Sequence, residues 1–285
     1  MAPVAMVLLW STGFIGTRLS LPFGEPFTLL FWRFATTALV MAAVCMAMRV
    51  AWPRDARTIA ALALTGIFVH GIFLSGSYLA VDHGVSTGIV ALVVGLQPIV
   101  TAIVAGPLFG ERVTQRQIVG LLLGFGGVAL VVSSKFTVGT EAFYGAGYAV
   151  MALIGMTAGT LLQKRFGAST DIRSAIVVQF AASALAAAVL AQLFETAQVR
   201  WTAGFLLVHL WLVFGCSISA VGLTYLLIRA DAISKVASLF YLIAPLVAVM
   251  GFVLFGETLG VLGMTGMAIA VLGVALVMRE PGPVT

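Results

Sequence analysis

The sequence predicts an all-α membrane protein, with ten transmembrane helices forming two inverted-topology five-helix repeats around a central cavity. Three observations predict it: the composition, a series of long apolar runs, and an internal repeat. Of 285 residues, 61% are apolar and 9% charged, where a soluble domain carries about 25% charged residues. The mean hydropathy is +1.15. A water-soluble fold of this composition would lack a polar surface. Disorder, a coiled coil and a disulfide scaffold are excluded with it.

A bilayer-spanning helix needs roughly 17–25 mostly apolar residues. The first run, 3–18, has no Lys or Arg before Arg18 and carries Trp10, Ser11 and Thr12, so it reads as a retained helix and not as a removable leader. The second, 26–48, holds Arg33, and the third, 58–80, holds His70. The fourth, 85–107, contains the unbroken apolar stretch Gly88–Val94, which lacks the alternation of a barrel strand, and then Gln97 and Pro98. The fifth, 115–134, is glycine-rich, as closely packed membrane helices are; the sixth, 142–163, carries Thr157. The seventh, 174–194, is followed by 203–228 with Cys216, Ser217 and Ser219, then 236–255 with Tyr241 and Pro245, and finally 260–278. Cys45 and Cys216 both fall within runs, where they read as small packing residues.

Charge fixes the orientation. Eleven Lys and Arg fall on the side of the N-terminus, three (Arg18, Lys135 and Arg200) on the far side, and Arg33 lies within a span. The positive-inside rule then places both termini in the cytoplasm, which requires an even number of spans. The net charge of +5 is therefore a topology signal and does not argue for nucleic acid as a partner.

The chain also repeats itself. Leu96-Gln97-Pro98-Ile99-Val100, Phe109-Gly110-Glu111, Gly120 and Gly127-Val128-Ala129-Leu130-Val131 return as Ile243-Ala244-Pro245-Leu246-Val247, Phe255-Gly256-Glu257, Gly266 and Gly273-Val274-Ala275-Leu276-Val277. The offset is 147 at the prolines and 146 from the glutamates onward, and Tyr78-Leu79 pairs with Tyr225-Leu226. A unit of five spans is odd, so the second copy enters the membrane from the opposite side. Repeats of this kind support alternating access around a midplane site. The units run over 1–137 and 138–285.

Phe109–Thr114, Gly120 and Gly127–Ala129 resemble the end of an EamA domain, the second copy ends likewise, and Leu9–Phe14 resembles its start. The whole chain is similar to the ten-helix, two-EamA-domain members of the drug/metabolite transporter superfamily. The Trp10–Phe14 opening and the histidine of the third span resemble the aromatic amino-acid exporter branch. The resemblance implies export of amino acids and related metabolites across a bacterial inner membrane, with a cavity lined by the first, third and fourth helices of each repeat.

Polar residues near mid-depth should face such a cavity, because hydrocarbon offers them no partner. They are Trp10, Ser11, Thr12, His70, Gln97, Thr157, Ser217, Ser219 and the shallower Tyr241. His70 is either a histidine donating to a neighbouring helix or a substrate contact. Arg33 reads first as a snorkelling side chain and otherwise as a clamp for carboxylate or phosphate. Pro98 and Pro245 read as mid-helix kinks or hinges. Tyr78 and Tyr225 read as interface anchors or as gates on opposite sides. Glu111 and Glu257 read as structural carboxylates facing a helix start.

Every Asp and Glu lies at a helix end or in a loop, so carboxylate-driven proton exchange is not expected; His70 and His209 leave proton coupling open. There is no nucleotide-phosphate loop, and neither a metal-binding nor an acid–base constellation that an enzyme would need. The chain is therefore expected to be a non-enzymatic transporter without a cofactor, a monomer whose partners are the bilayer and a small-molecule substrate. The neutral, aromatic and hydroxyl-bearing midplane suits neutral amino acids such as Phe, Met or Thr. Amphipathic drugs come second, and phosphorylated solutes would want more cations.

Overall fold

A computed structural model describes residues 2–109, 114–133, 140–166, 170–223, 242–258 and 260–278. Apolar runs in lipid must satisfy their backbone groups internally, and the helix does so within one segment. The elements are α1 Ala2–Ser20, α2 Pro26–Ala47, α3 Ala56–Gly66, α4 Phe73–Asp82, α5 Thr87–Val94, α6 Gln97–Phe109, α7 Gln115–Ser133, α8 Thr140–Phe166, α9 Ile172–Phe194, α10 Ala203–Leu210, α11 Ile243–Phe255 and α12 Val261–Met278. A π-helical segment, Ile67–Ile72, joins α3 to α4, and a second, Trp211–Ala220, continues α10. Among the described residues the one β interaction is the isolated bridge Gly24–Val199.

Among the described residues, seven helical stretches are long and apolar enough to cross a membrane, including Ala56–Asp82 and Ala203–Leu223, and three shorter helices, Ile118–Val131, Ile243–Phe255 and Val261–Gly273, are also apolar. Large apolar side chains such as Leu39, Leu185, Leu193 and Val261 face outward, whereas Arg33, His70, Gln179 and Ser217 are buried. Their distribution is that of a protein solvated by lipid.

Two elements depart from the straight rods read from the sequence. The fourth run is broken at Gly95–Leu96, so that Pro98 lies in the first turn of α6 and not mid-helix. Pro245 likewise occupies the third position of α11. The first turn has no intrahelical acceptor for its N–H groups, so proline is accommodated there without losing a bond. The second departure is the pair of π segments. At the repeat offset Ile67–Ile72 falls within Trp211–Ala220, so the same irregularity recurs in both halves.

Packing between the halves is reciprocal. α2 lies on α9 and α7 on α12. α1 packs against α10 with its π segment and against α11; α8 packs against α3, α4 and the first π segment, and against α5 and α6. Glycines set the α7–α12 contact. A Cβ at Gly127 would sit 2.5 Å from the Gly266 carbonyl oxygen, and one at Gly273 would sit 2.7 Å from that of Gly120. Residues 120 and 127 therefore meet 273 and 266 in reverse order, so the two helices run antiparallel.

Segments that the alternating-direction reading assigns to the far side are bonded to one another. Glu195 accepts from the backbone N of Phe27 and Thr28 at the start of α2, both at 2.7 Å. Glu25 accepts from the Thr196 backbone N at 2.7 Å. Arg200 donates to the Pro22 carbonyl. Glu257 accepts from Arg18 Nη1 at 2.7 Å and from Thr87 Oγ1 at 2.8 Å. The Phe-Gly-Glu motif explains the last cluster. Gly256, with φ of 66°, ends α11 in the left-handed region, which favours glycine. The turn swings Glu257 back over Gly251, where a side chain would collide with the carboxylate. Glu257 thus caps α5, a helix of the other half, and not the helix that follows it.

Candidate functional site

The central cavity forms where α1, α2, α4, α9 and both π segments meet, and the space in it open to water-sized molecules is about 40 Å³. That is room for a few waters, so a solute of amino-acid size would need the surrounding helices to move apart. Trp10, Phe14, Phe73 and Phe180 supply aromatic surface, and Arg33, His70, Thr17, Ser77, Cys216 and Ser217 supply polar atoms. A wider groove along Phe125, Phe143 and Tyr144 is almost wholly apolar and opens outward, as a lipid-facing surface does.

The π segments explain how His70 and Ser217 reach this cavity. A π turn inserts a residue into the helical ladder and re-aims the side chains around it. His70 lies in the first segment and Ser217 in the second. The His70 ring stacks on Phe180, with centroids 3.9 Å apart and planes 18° apart. Its Nε2 is buried without a hydrogen-bond partner, and the Gln179 amide lies alongside it.

Arg33 does not snorkel. It is 5% exposed, and its Nε donates to Ser217 Oγ at 3.0 Å, while Nη1 is buried with no partner. The side chain turns inward because Ser217 offers an acceptor inside the bundle. Among the described residues lining the cavity there is no carboxylate. At the offset of 147, Arg33 falls on Phe180 and His70 on Ser217. The Arg33–Ser217 bond and the Phe180–His70 stack therefore join the same two repeat positions, and both pairs line the cavity.

Of the residues expected from sequence, Trp10, His70 and Ser217 come together here. Gln97 lines an adjoining pocket with Trp10, Phe14, Pro98 and Met156; its Nε2 donates to Thr101 Oγ1 at 2.9 Å and to Thr160 Oγ1 at 3.2 Å. Ser11 is buried but donates to the Val7 carbonyl of its own helix. Thr12 donates to the Leu9 carbonyl and accepts from Trp211 Nε1 at 3.1 Å. Thr157 is buried with its hydroxyl unpartnered, away from the lining of both cavities. Ser219 is exposed. Tyr78 is fully buried next to Ser20, whose Oγ lies 3.3 Å from Tyr78 Oη, so it does not belong to a lipid-facing aromatic belt. Tyr225, Tyr241 and Glu111 lie outside the described residues. The sequence reading passed over Phe14, Phe73 and Phe180; for Phe180 the signal was present, as the repeat partner of Arg33.

Residues 2–133 match the EamA-like transporter family. The EamA-like stretch runs from the start of α1 to the end of α7 and includes Trp10, Arg33 and His70. A protein of Archaeoglobus fulgidus named an uncharacterized transporter is 24% identical over 96% of both chains. A protein of Streptantibioticus cattleyicolor named a probable terminal-alkyne amino-acid exporter is 28% identical over 98% of this chain and 93% of its own. A solved crystal structure, 21% identical and covering 96% of this chain and 94% of that one, shares the fold with a TM-score of 0.69. The family and the relatives are transporters, not enzymes. The match over residues 2–133 and the apolar helices suggest a multi-pass membrane protein similar to EamA-like transporters.

Proposed function

We propose that the protein is a secondary transporter that exports neutral and aromatic amino acids, together with related small metabolites, across a bacterial inner membrane. The observation that carries this reading is the central cavity between the two halves. Its lining sets Trp10, Phe14, Phe73 and Phe180 beside the hydroxyl and imidazole groups of the π segments and the Arg33 guanidinium. Such a lining fits a small solute with an apolar side chain and a polar end. The amino-acid exporter among the relatives points the same way.

The mechanism proposed is alternating access by two inverted repeats, 1–137 and 138–285, with ten spans in all and both termini cytoplasmic. The recurring π segments, the reciprocal packing and the antiparallel α7–α12 contact support that arrangement. Trp10, His70 and Ser217 are the proposed substrate contacts, with Gln97 in the adjoining pocket. The helix starts at Pro98 and Pro245 are proposed as the points where each half bends, and Tyr78 and Tyr225 as opposite gates. The far-side bonds among Arg18, Glu257 and Thr87 have to break for the cavity to open there.

Counterflow into proteoliposomes tests the reading. Labelled Phe outside is expected to enter vesicles preloaded with several unlabelled amino acids and not vesicles preloaded with a nucleotide sugar. Exchange driven by a cationic drug or a sugar nucleotide, and not by amino acids, would overturn the substrate class.

A further inference from the structure

We infer that Arg33 is the anion-recognition residue of the central cavity, and that the cavity selects its substrate by a free carboxylate and not by an amine. The inference rests on the amino-acid reading above and goes further by naming the group that is recognised.

An arginine inside a membrane bundle is unfavourable unless paired, and nearly all such residues find an acceptor or serve a ligand. Arg33 has only part of its need met. Its Nε is held by Ser217, which fixes the plane of the guanidinium. Its Nη1 is buried without a partner. A guanidinium oriented through one nitrogen and free at another presents the fork geometry that matches a carboxylate. The repeat-equivalent position holds Phe180, whose ring is covered by the His70 ring and packs against Phe34, the neighbour of Arg33. The cavity therefore sets the Arg33 cation beside aromatic surface. A solute with a carboxylate at one end and an apolar body at the other fits this polarity.

The charge also limits the substrate. One cation accommodates one negative charge, which disfavours a diphosphate-bearing solute. Among the described lining residues there is no carboxylate, so an ammonium group meets ring faces and hydroxyls and makes no ion pair.

Isothermal titration of the purified full-length chain in detergent tests this with phenylalanine, phenylalaninamide and 3-phenylpropionate. In the wild type, phenylalanine and 3-phenylpropionate should bind within about threefold of each other, and phenylalaninamide at least about tenfold more weakly, the worth of a charge-assisted hydrogen bond. In Arg33→Gln the gap between acid and amide should close while the amide binds as before, and that retained binding shows that the variant is folded. Arg33→Lys should keep part of the gap. An amide that binds the wild type as tightly as the acid would overturn the inference, and so would an acid preference that survives in Arg33→Gln, or binding of neither acid. Arg33-dependent binding of 3-phenylpropionate without binding of phenylalanine would uphold the anion site and overturn the amino-acid reading.

Discussion

Asp55 shows how much one side chain at the membrane surface can be asked to do. It precedes α3, and its Oδ1 accepts from the backbone N of Thr58 at 2.7 Å. The Thr58 amide holds the Asp55 carboxyl below the usual carboxylate range. A carboxyl whose folded pKa is depressed contributes stability above its unfolded value, near about 3.9, and loses it as pH falls through the folded value. Asp55→Ala is therefore expected to melt roughly 2 °C below wild type at pH 7, and the difference should shrink as pH falls through the folded value of the Asp55 carboxyl. A difference that persists undiminished in acid would mean that the cap is not the cause. Arg33 makes the complementary point. Its depth in the second run was plain from the sequence, but the direction of its side chain was not, because that depends on where Ser217 lies in a helix nearly two hundred residues away. The same holds for Glu257, whose partner Arg18 belongs to the opposite end of the chain.

Among elements, the α7–α12 contact is the most exacting. Gly127 leaves no room for a side chain against the Gly266 carbonyl, whereas Gly126 has nothing within 4 Å of the position a Cβ would take. Gly127→Ala is expected to destabilise the protein by about 1–3 kcal/mol, the usual range for overpacking, and Gly126→Ala to leave it within about 0.5 kcal/mol. Denaturation in detergent would read both, and equal effects would remove the packing argument. The spans themselves were legible because each is a long apolar run, and observed ends agree with expectation to within a few residues, as in α2, α9 and α12. The π segments were not legible. No residue type marks a π turn, which arises from packing between helices. The break before Pro98 was misplaced for a related reason: proline signals a disturbed helix, but whether it bends the middle or opens a new segment depends on the preceding Gly95–Leu96 turn.

For the whole molecule, the described far-side bonds define a closed face. Arg18 and Glu257 join the first helix to the end of α11, and Arg18 also lies over the Phe255 ring at 4.9 Å. If transport requires that face to open, a covalent tie across it should stop turnover. Arg18→Cys with Glu257→Cys, in a background where Cys45 and Cys216 are replaced by Ala, should lose counterflow when bridged by a thiol-reactive cross-linker. Counterflow should return when a cleavable linker is reduced, while substrate binding persists throughout. Full turnover in the bridged state would mean that the solute leaves by another route.

The far-side carboxylates have a consequence for how the molecule is made. The amides of Phe27 and Thr28 at the start of α2 are satisfied by Glu195, and Thr87 at the start of α5 by Glu257. Each helix is synthesised well over a hundred residues before the residue that caps it. Until residues 195 and 257 are made, these helix starts lack their carboxylate caps and are left to water. Assembly of the two halves is in this sense a late step, and a first half released alone would carry unfinished helix termini that only its own missing sequence can complete.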